Sequence, residues 1–245
     1  MTDLGVQLYS VREELIADYV GTVERLASAG YTGVELAGNY GASVENSVQL
    51  FQRLGLAVPS IHAPILDAAQ RSEIIGIAGE LGAKYVVCAY IPPDEFSTLS
   101  SVESYCAQLN EANTEVRAAG LTLLYHNHWW EYESHDYGIP LEVMLRLLDP
   151  SIGIELDIYW AKVGGADPVA ALEALGSRLK LLHEKDGPAT KDDPMLALGE
   201  GVMNYQTLLP HATAADWPIV ELDRCATNML EALEKSAAYM LSIMG

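Results

Sequence analysis

Along the chain, segments with helical spacing of apolar residues give way repeatedly to short apolar runs that end in polar ones. Leu15, Tyr19, Val23 and Leu26 recur at the three- and four-residue intervals of one helix face, as do Tyr105, Leu109, Ala112 and Val116. Five such segments end in a glycine followed by an extended-looking run: "SAGYTGVEL" around Gly30, "RLGLAVPSI" around Gly55, "ELGAKYVVC" around Gly82, "AAGLTLLYH" around Gly120 and "ALGSRLKLL" around Gly176. Glycine just past a helix end takes up the left-handed cap conformation that other residues adopt at a cost, so each reads as a helix-to-strand junction. Asp167-Pro168 reads as an N-cap followed by proline at the first helical position.

Strand-like runs lie near Leu4–Tyr9, Thr32–Ala37, Leu56–Ala63, Lys84–Ile91, Leu121–Asn127, Ile152–Asp157, Leu179–His183 and Pro218–Asp223, and each is followed by a predicted helical segment. Strict alternation of this kind requires parallel strands with helical crossovers. Eight such units in one chain predict a single (β/α)8 TIM barrel over residues 1–245. A doubly wound open sheet is the alternative. It is disfavoured because "QLYSVREE" follows the first strand where a glycine-rich phosphate turn would stand.

A barrel of this class builds its site at the C-terminal ends of its strands. There the runs end in Gln7 and Tyr9, Glu35, Ser60 and His62, Tyr90, His126, His128 and Glu131, Glu155 and Asp157, His183 and Lys185, and Glu221 and Asp223. The histidine-rich stretch "LLYHNHWWEYESHDYG" is therefore one wall of a shared site. Taken alone, a His62 or Glu35 at a strand end is more often a hydrogen-bonding partner than a ligand. His126 and His128 share one face of an extended strand and read equally as ligands, substrate contacts or backbone-paired side chains. Trp129 and Trp130 read as packing or a sugar-stacking wall. Glu133, His135 and His211 read as surface residues.

Glu131, Asp157, His183 and Glu221 stand apart, because they fall on four consecutive strands. Carboxylates clustered in a largely closed site need a cation to offset them, and a divalent metal is the economical one. Three carboxylates with one imidazole suit Mn²⁺ or Mg²⁺, with Co²⁺ or Zn²⁺ admitted by the histidine. No H-E-x-x-H is present, so a zinc-protease motif is excluded.

Composition narrows the partners. The 245 residues are half hydrophobic, enough for one large core, and the formal net charge of −20 opposes binding to phosphate backbones or anionic lipid surfaces. Cys88, Cys106 and Cys225 are odd in number and widely spaced, so they read as thiols rather than as a disulfide framework. Neither an export signal nor a membrane-length apolar run stands out, so the expectation is a soluble, cytoplasmic protein.

"YHNHWWEY", "ELDIYW", "LLHEKDG", "LGEG" and "WPIVELD", in this order, with "GVQLYSVRE" and "GYTGVELAGNYG" before them, resemble the xylose isomerase-like TIM barrels described as sugar phosphate isomerases or epimerases. The resemblance spans nearly the whole chain. It implies a metal-dependent isomerase or epimerase that acts on a keto-sugar or sugar phosphate through an enediolate, with a homo-oligomer left open. It also implies Glu131, Asp157, His183 and Glu221 as metal ligands, with Glu131 and Glu221 also moving protons. His62, His126, Lys185, Trp160, Tyr9 and Glu35 are then expected around the substrate, and Glu155 or Asp223 behind the ligands. Ketose epimerases and inosose dehydratases of this superfamily generally carry D-x-x-H on strand six, whereas "DIYW" puts Trp160 in the histidine's place. That departure raises β-elimination or hydration of a keto-sugar or inosose as the second reading. A non-catalytic sugar-binding barrel subunit is the third.

Overall fold

The structure, a computed structural model, describes residues 3–245. Eight parallel strands form its centre: β1 (Gly5–Gln7), β2 (Gly33–Glu35), β3 (Ser60–Ala63), β4 (Tyr85–Cys88), β5 (Thr122–His126), β6 (Gly153–Asp157), β7 (Leu179–Glu184) and β8 (Trp217–Val220). Their ladder runs β2-β1-β8-β7-β6-β5-β4-β3. The remaining seam is bridged at Gly33↔Ala57 and Leu36↔Ile61, so the sheet closes into the predicted TIM barrel.

Every predicted run overlaps a strand; seven of the strands are shorter than the runs, whereas β7 extends one residue further, to Glu184. The first stops at Gln7, whose side-chain oxygen accepts from Tyr9 N (3.0 Å) and turns Leu8–Val11 into a 3₁₀ helix. The third begins only after Pro59, which has no N–H to give a ladder. The five junction glycines all have positive φ, from +50° at Gly176 to +106° at Gly30. Asp167 accepts from Ala170 N (2.8 Å) and caps Pro168–Leu175, as read from the sequence.

Helical crossovers follow the strands with one departure. Beyond β7 the chain runs to Asn204 before the single turn Tyr205–Leu208. Buried Asp186 organises this loop by accepting from the amides of Gly187 (2.8 Å), Gly199 (2.9 Å), Gly201 (3.1 Å) and Met203 (2.9 Å).

Two apolar clusters explain why the site sits where it does. The larger lies between the barrel and its helices. The smaller comprises Tyr85, Val87, Leu124, Leu181 and Ile219, with Trp217 packed against it, and fills the barrel interior. Because side chains alternate along a strand, the interior positions above Leu124, Leu181 and Ile219 are His126, His183 and Glu221. The apolar plug thus becomes a polar floor within one step of the pleat. No helix among the described residues is long and apolar enough to cross a membrane.

Candidate active site

Buried Glu35 at the end of β2 accepts from Gln7 Nε2 (2.7 Å) and Ser60 Oγ (2.5 Å), and it meets His183 Nε2 at 2.6 Å. The other ring nitrogen of His183 lies 2.8 Å from Glu221 Oε2. His62 Nε2 lies 2.6 Å from Glu155 Oε2 and 3.2 Å from Glu35 Oε2. Lys185, almost wholly buried, reaches Asp157 (3.0 Å), Glu221 (2.7 Å) and Asp223 (2.8 Å) with one ammonium group. Asp157 also N-caps Ile158–Val163 through Trp160 N (2.8 Å), and Asn127 latches β5 to β6 by bonding both the N–H and the C=O of Asp157.

This packing sets the protonation states. Burial works against a charged His62, yet Glu35 and Glu155 outweigh it and hold its pKa at about 10. Burial likewise opposes the charge on His183, but Glu155, Glu35 and Glu221 keep it well above the usual imidazole range. Burial and Glu35 push Glu155 up, while His183 and His62 win and hold it down at about 2. Burial raises Asp157 to about 6 against the pull of Lys185, and lowers His126 well below the ordinary value.

The cations of the chain therefore answer part of the negative charge. His62, His183 and Lys185 face Glu35, Glu155, Asp157, Glu221 and Asp223. A metal is accordingly not the sole source of positive charge at these carboxylates, as the sequence argument supposed. Three cations against five carboxylates still leave an excess of two negative charges.

Donor atoms of His126, Asp157, His183 and Glu221 all lie within 4.8 Å of one another, and those of His62, His126, Glu155 and His183 form an overlapping group. His126 Nδ1, Asp157 Oδ2 and Glu155 Oε1 are buried without a hydrogen bond among the described residues. Each has an ionic neighbour at 3.0–3.3 Å that is not aligned for one. Buried donor atoms of His126 and Asp157 that lack a hydrogen bond, within a group of four converging donors and with excess negative charge around them, fit a divalent cation. Asp157, His183 and Glu221 are thus brought together, joined by His126.

Glu131 stands elsewhere. It sits on the turn Trp130–Tyr132, wholly buried, where Oε1 accepts from Tyr125 OH (2.5 Å) and Oε2 from His128 N (2.8 Å). Burial pushes its carboxyl up to about 8, with Asp157 adding to the rise.

Above the floor opens a cavity of about 820 Å³, walled in part by Tyr9, His62, His126 and Glu221. Among the residues expected around the substrate, Tyr9, His62 and His126 face it, whereas Glu35, Lys185 and Trp160 lie beneath or behind it. Glu35 holds two histidines. Lys185 is tied to three carboxylates instead of offering its charge to an incoming anion. Trp160 donates Nε1–H to Asp223 Oδ2 (3.1 Å).

Residues 23–242 match the family described as "Xylose isomerase-like TIM barrel". The chain belongs to that family. An uncharacterised protein from Mycobacterium leprae is 24% identical over 96% of this chain and 95% of its own. Of the solved structures, a sugar phosphate isomerase/epimerase from Parabacteroides distasonis superposes with a TM-score of 0.83 at 27% identity, covering 98% of this chain and 93% of that one. The probable 3-DHS dehydratase of petrobactin synthesis from Bacillus anthracis shares the fold at a TM-score of 0.79 and 15% identity, over 98% of this chain and 99% of that one.

Sequence reasoning missed Asp67 and Gln108, which also line the cavity of this xylose isomerase-like barrel, and buried Glu184. Asp67 and Gln108 fall in a loop and on a helix, outside the strand-end rule. Glu184 was legible only as the outward-facing neighbour of His183.

Proposed function

We propose that this chain is a divalent-metal-dependent isomerase or epimerase acting on a keto-sugar. The observation that carries the reading is the convergence of His126, Asp157, His183 and Glu221 donor atoms at the floor of a cavity open at the strand ends. These four would hold the ion, Mn²⁺ or Mg²⁺ by the balance of donors, whereas Glu131, expected as a ligand from the sequence, lies outside this group. When bound, it supplies Lewis-acid stabilisation for negative charge developing on substrate oxygens.

The chain's own groups do the rest. Glu221 faces the cavity and is kept ionised by Lys185 and His183 against its burial, so it is placed to take a proton from the carbon beside the carbonyl. His62 and His126 offer hydrogen bonds to substrate hydroxyls from the same wall. Glu131, held as the neutral acid by burial, is assigned the return of the proton, and this requires it to leave the hydrogen bond of Tyr125 or His128 when substrate arrives. His183 must shed its proton to become a ligand, so metal loading releases protons and strengthens as pH rises.

One observation favours β-elimination as the second reading. Trp160, at the position of an expected histidine, spends its N–H on Asp223 and leaves that side of the site without a titratable ring. The deciding experiment is NMR of keto-sugars and inososes in D₂O with added Mn²⁺. Deuterium entering beside the carbonyl with a new epimer or isomer supports the first reading, loss of water supports the second, and no exchange with any of them sinks both.

A further inference from the structure

The cavity is divided in its chemistry. Its floor at β3, β5 and β8 is polar, with His62, His126 and Glu221, whereas the side reached from the ends of β3 and β4 is mainly apolar, with Ile65, Leu66, Tyr90, Pro92 and Tyr105 outnumbering Asp67 and Gln108. Two large hydrophobic side chains exposed on this molecule stand at this opening: Tyr9 at 41% and Tyr90 at 56% exposure. Tyr90 is held edge-on to His128 (5.5 Å) and Trp130 (5.6 Å), and those two rings stack on one another at 4.3 Å. A ring kept in place by T-shaped contacts while more than half of it stays exposed offers a stacking surface. At about 820 Å³, the space lies in the upper part of the roughly 300–1,000 Å³ range that encloses drug-sized ligands. A simple monosaccharide on the polar floor leaves the apolar side uncovered.

The charges make a second demand. Asp67, Glu221 and Asp223 line the cavity, and among its described lining residues there is no lysine or arginine. The cations close by are engaged, including His62 in the lining itself, which is paired with Glu35 and Glu155. Lys185 is shared by three carboxylates, and Arg12 lies over the Tyr9 ring (4.3 Å) while donating to the carbonyls of Tyr9 and Asp223. A phosphate ester entering here would meet carboxylates without a cationic fork to bind it.

Resting on the keto-sugar reading, we infer that the substrate is uncharged and carries an apolar or aromatic group on its hydroxylated ring, as a keto-sugar glycoside with a hydrophobic aglycone does. The ring lies over the histidine and carboxylate floor, and the appended group lies against Tyr90, Leu66 and Pro92.

Calorimetry on the Mn²⁺-loaded protein with a hexose whose ketone lies at a ring carbon other than the anomeric one, with the phenyl glycoside of that sugar and with its phosphate ester, tests this. Burying the phenyl ring should tighten binding roughly ten- to a hundredfold over the free sugar. The phosphate ester should bind more weakly than the free sugar. Tyr90→Ala, at an exposed position where the fold is not at stake, should bring the ratio of glycoside to free-sugar affinity back toward one. The inference is overturned if the phosphate ester binds best, if the phenyl group brings no gain, or if Tyr90→Ala leaves the ratio intact. Proton exchange in D₂O, followed on the same samples, separates the two readings. Preferential glycoside binding without exchange supports this inference and removes the isomerase assignment. Exchange on the free sugar and its phosphate alike does the reverse, and failure to bind all three compounds overturns both.

Discussion

His183 touches carboxylates through both ring nitrogens, and Glu221 joins that histidine to Lys185 on the cavity side. Removing the basic oxygen while keeping the shape therefore isolates the chemistry from the packing. Glu221→Gln should lower turnover by roughly two to four orders of magnitude with the fold preserved, as seen by steady-state rates alongside circular dichroism. Asp157→Asn weakens a different property, the affinity for the ion, so excess Mn²⁺ should restore part of its activity. Parent-like rates in Glu221→Gln with a filled metal site would remove it as the base. His62 supplies a pH signature in metal-free protein. Its pKa is near 6.5 in the unfolded chain and about 10 in the folded one, so its contribution is complete below pH 6.5 and is lost as pH rises toward 10. Urea titrations at stepped pH should show stability falling through that window, and His62→Gln should flatten the fall.

Among the elements, the loop after β7 is the least regular and depends on one carboxylate. Asp186→Ala strips four amides of their acceptor, a loss of about 3 kcal/mol, since hydrogen bonds to charged groups contribute roughly 1.5–3 kcal/mol each and water recovers part of them. For a chain of this size, that lowers the melting temperature by about 6–12 °C. Differential scanning calorimetry reads the shift, and limited proteolysis should place the first cut between 187 and 204. Gly164, which closes the helix Ile158–Val163, packs against the neighbouring turn so tightly that a Cβ there would lie 2.3 Å from the carbonyl oxygen of Trp129. Gly164→Ala should push away the Trp130–Tyr132 turn that carries Glu131, costing about 1–3 kcal/mol and lowering activity together with stability. An unchanged melting curve would show that the two elements separate without strain.

Over the whole molecule, the net charge of −20 acts at long range and is independent of the site. A DNA column at moderate salt should retain none of the protein, and retention that weakens with added salt would refute this. The same field favours uncharged ligands over anionic ones at the cavity mouth, in keeping with the three carboxylates that line it.

Periodicity, glycine caps and polar strand ends made the barrel legible before any coordinates, because these are local signals: Gly55 and Gly82 need φ values of 69° and 70° wherever the helices dock, and alternation along β7 puts His183 inward whenever Leu181 is inward. From the same alternation the sequence by itself determined that Asp157, His183 and Glu221 share one end of the barrel. It did not determine which donors meet. Glu131 follows β5 by a turn whose direction depends on Tyr125, His128 and the close approach of Gly164, none of them readable as spacing. Lys185, expected among the residues around the substrate, turns instead to three carboxylates contributed by β6 and by the β8 end of the barrel. The closure of the barrel also brought His126 into the donor set and placed Tyr90, Leu66 and Asp67 around one cavity. Those outcomes depend on distances between strands far apart in the chain, and such distances exist only once the sheet has closed.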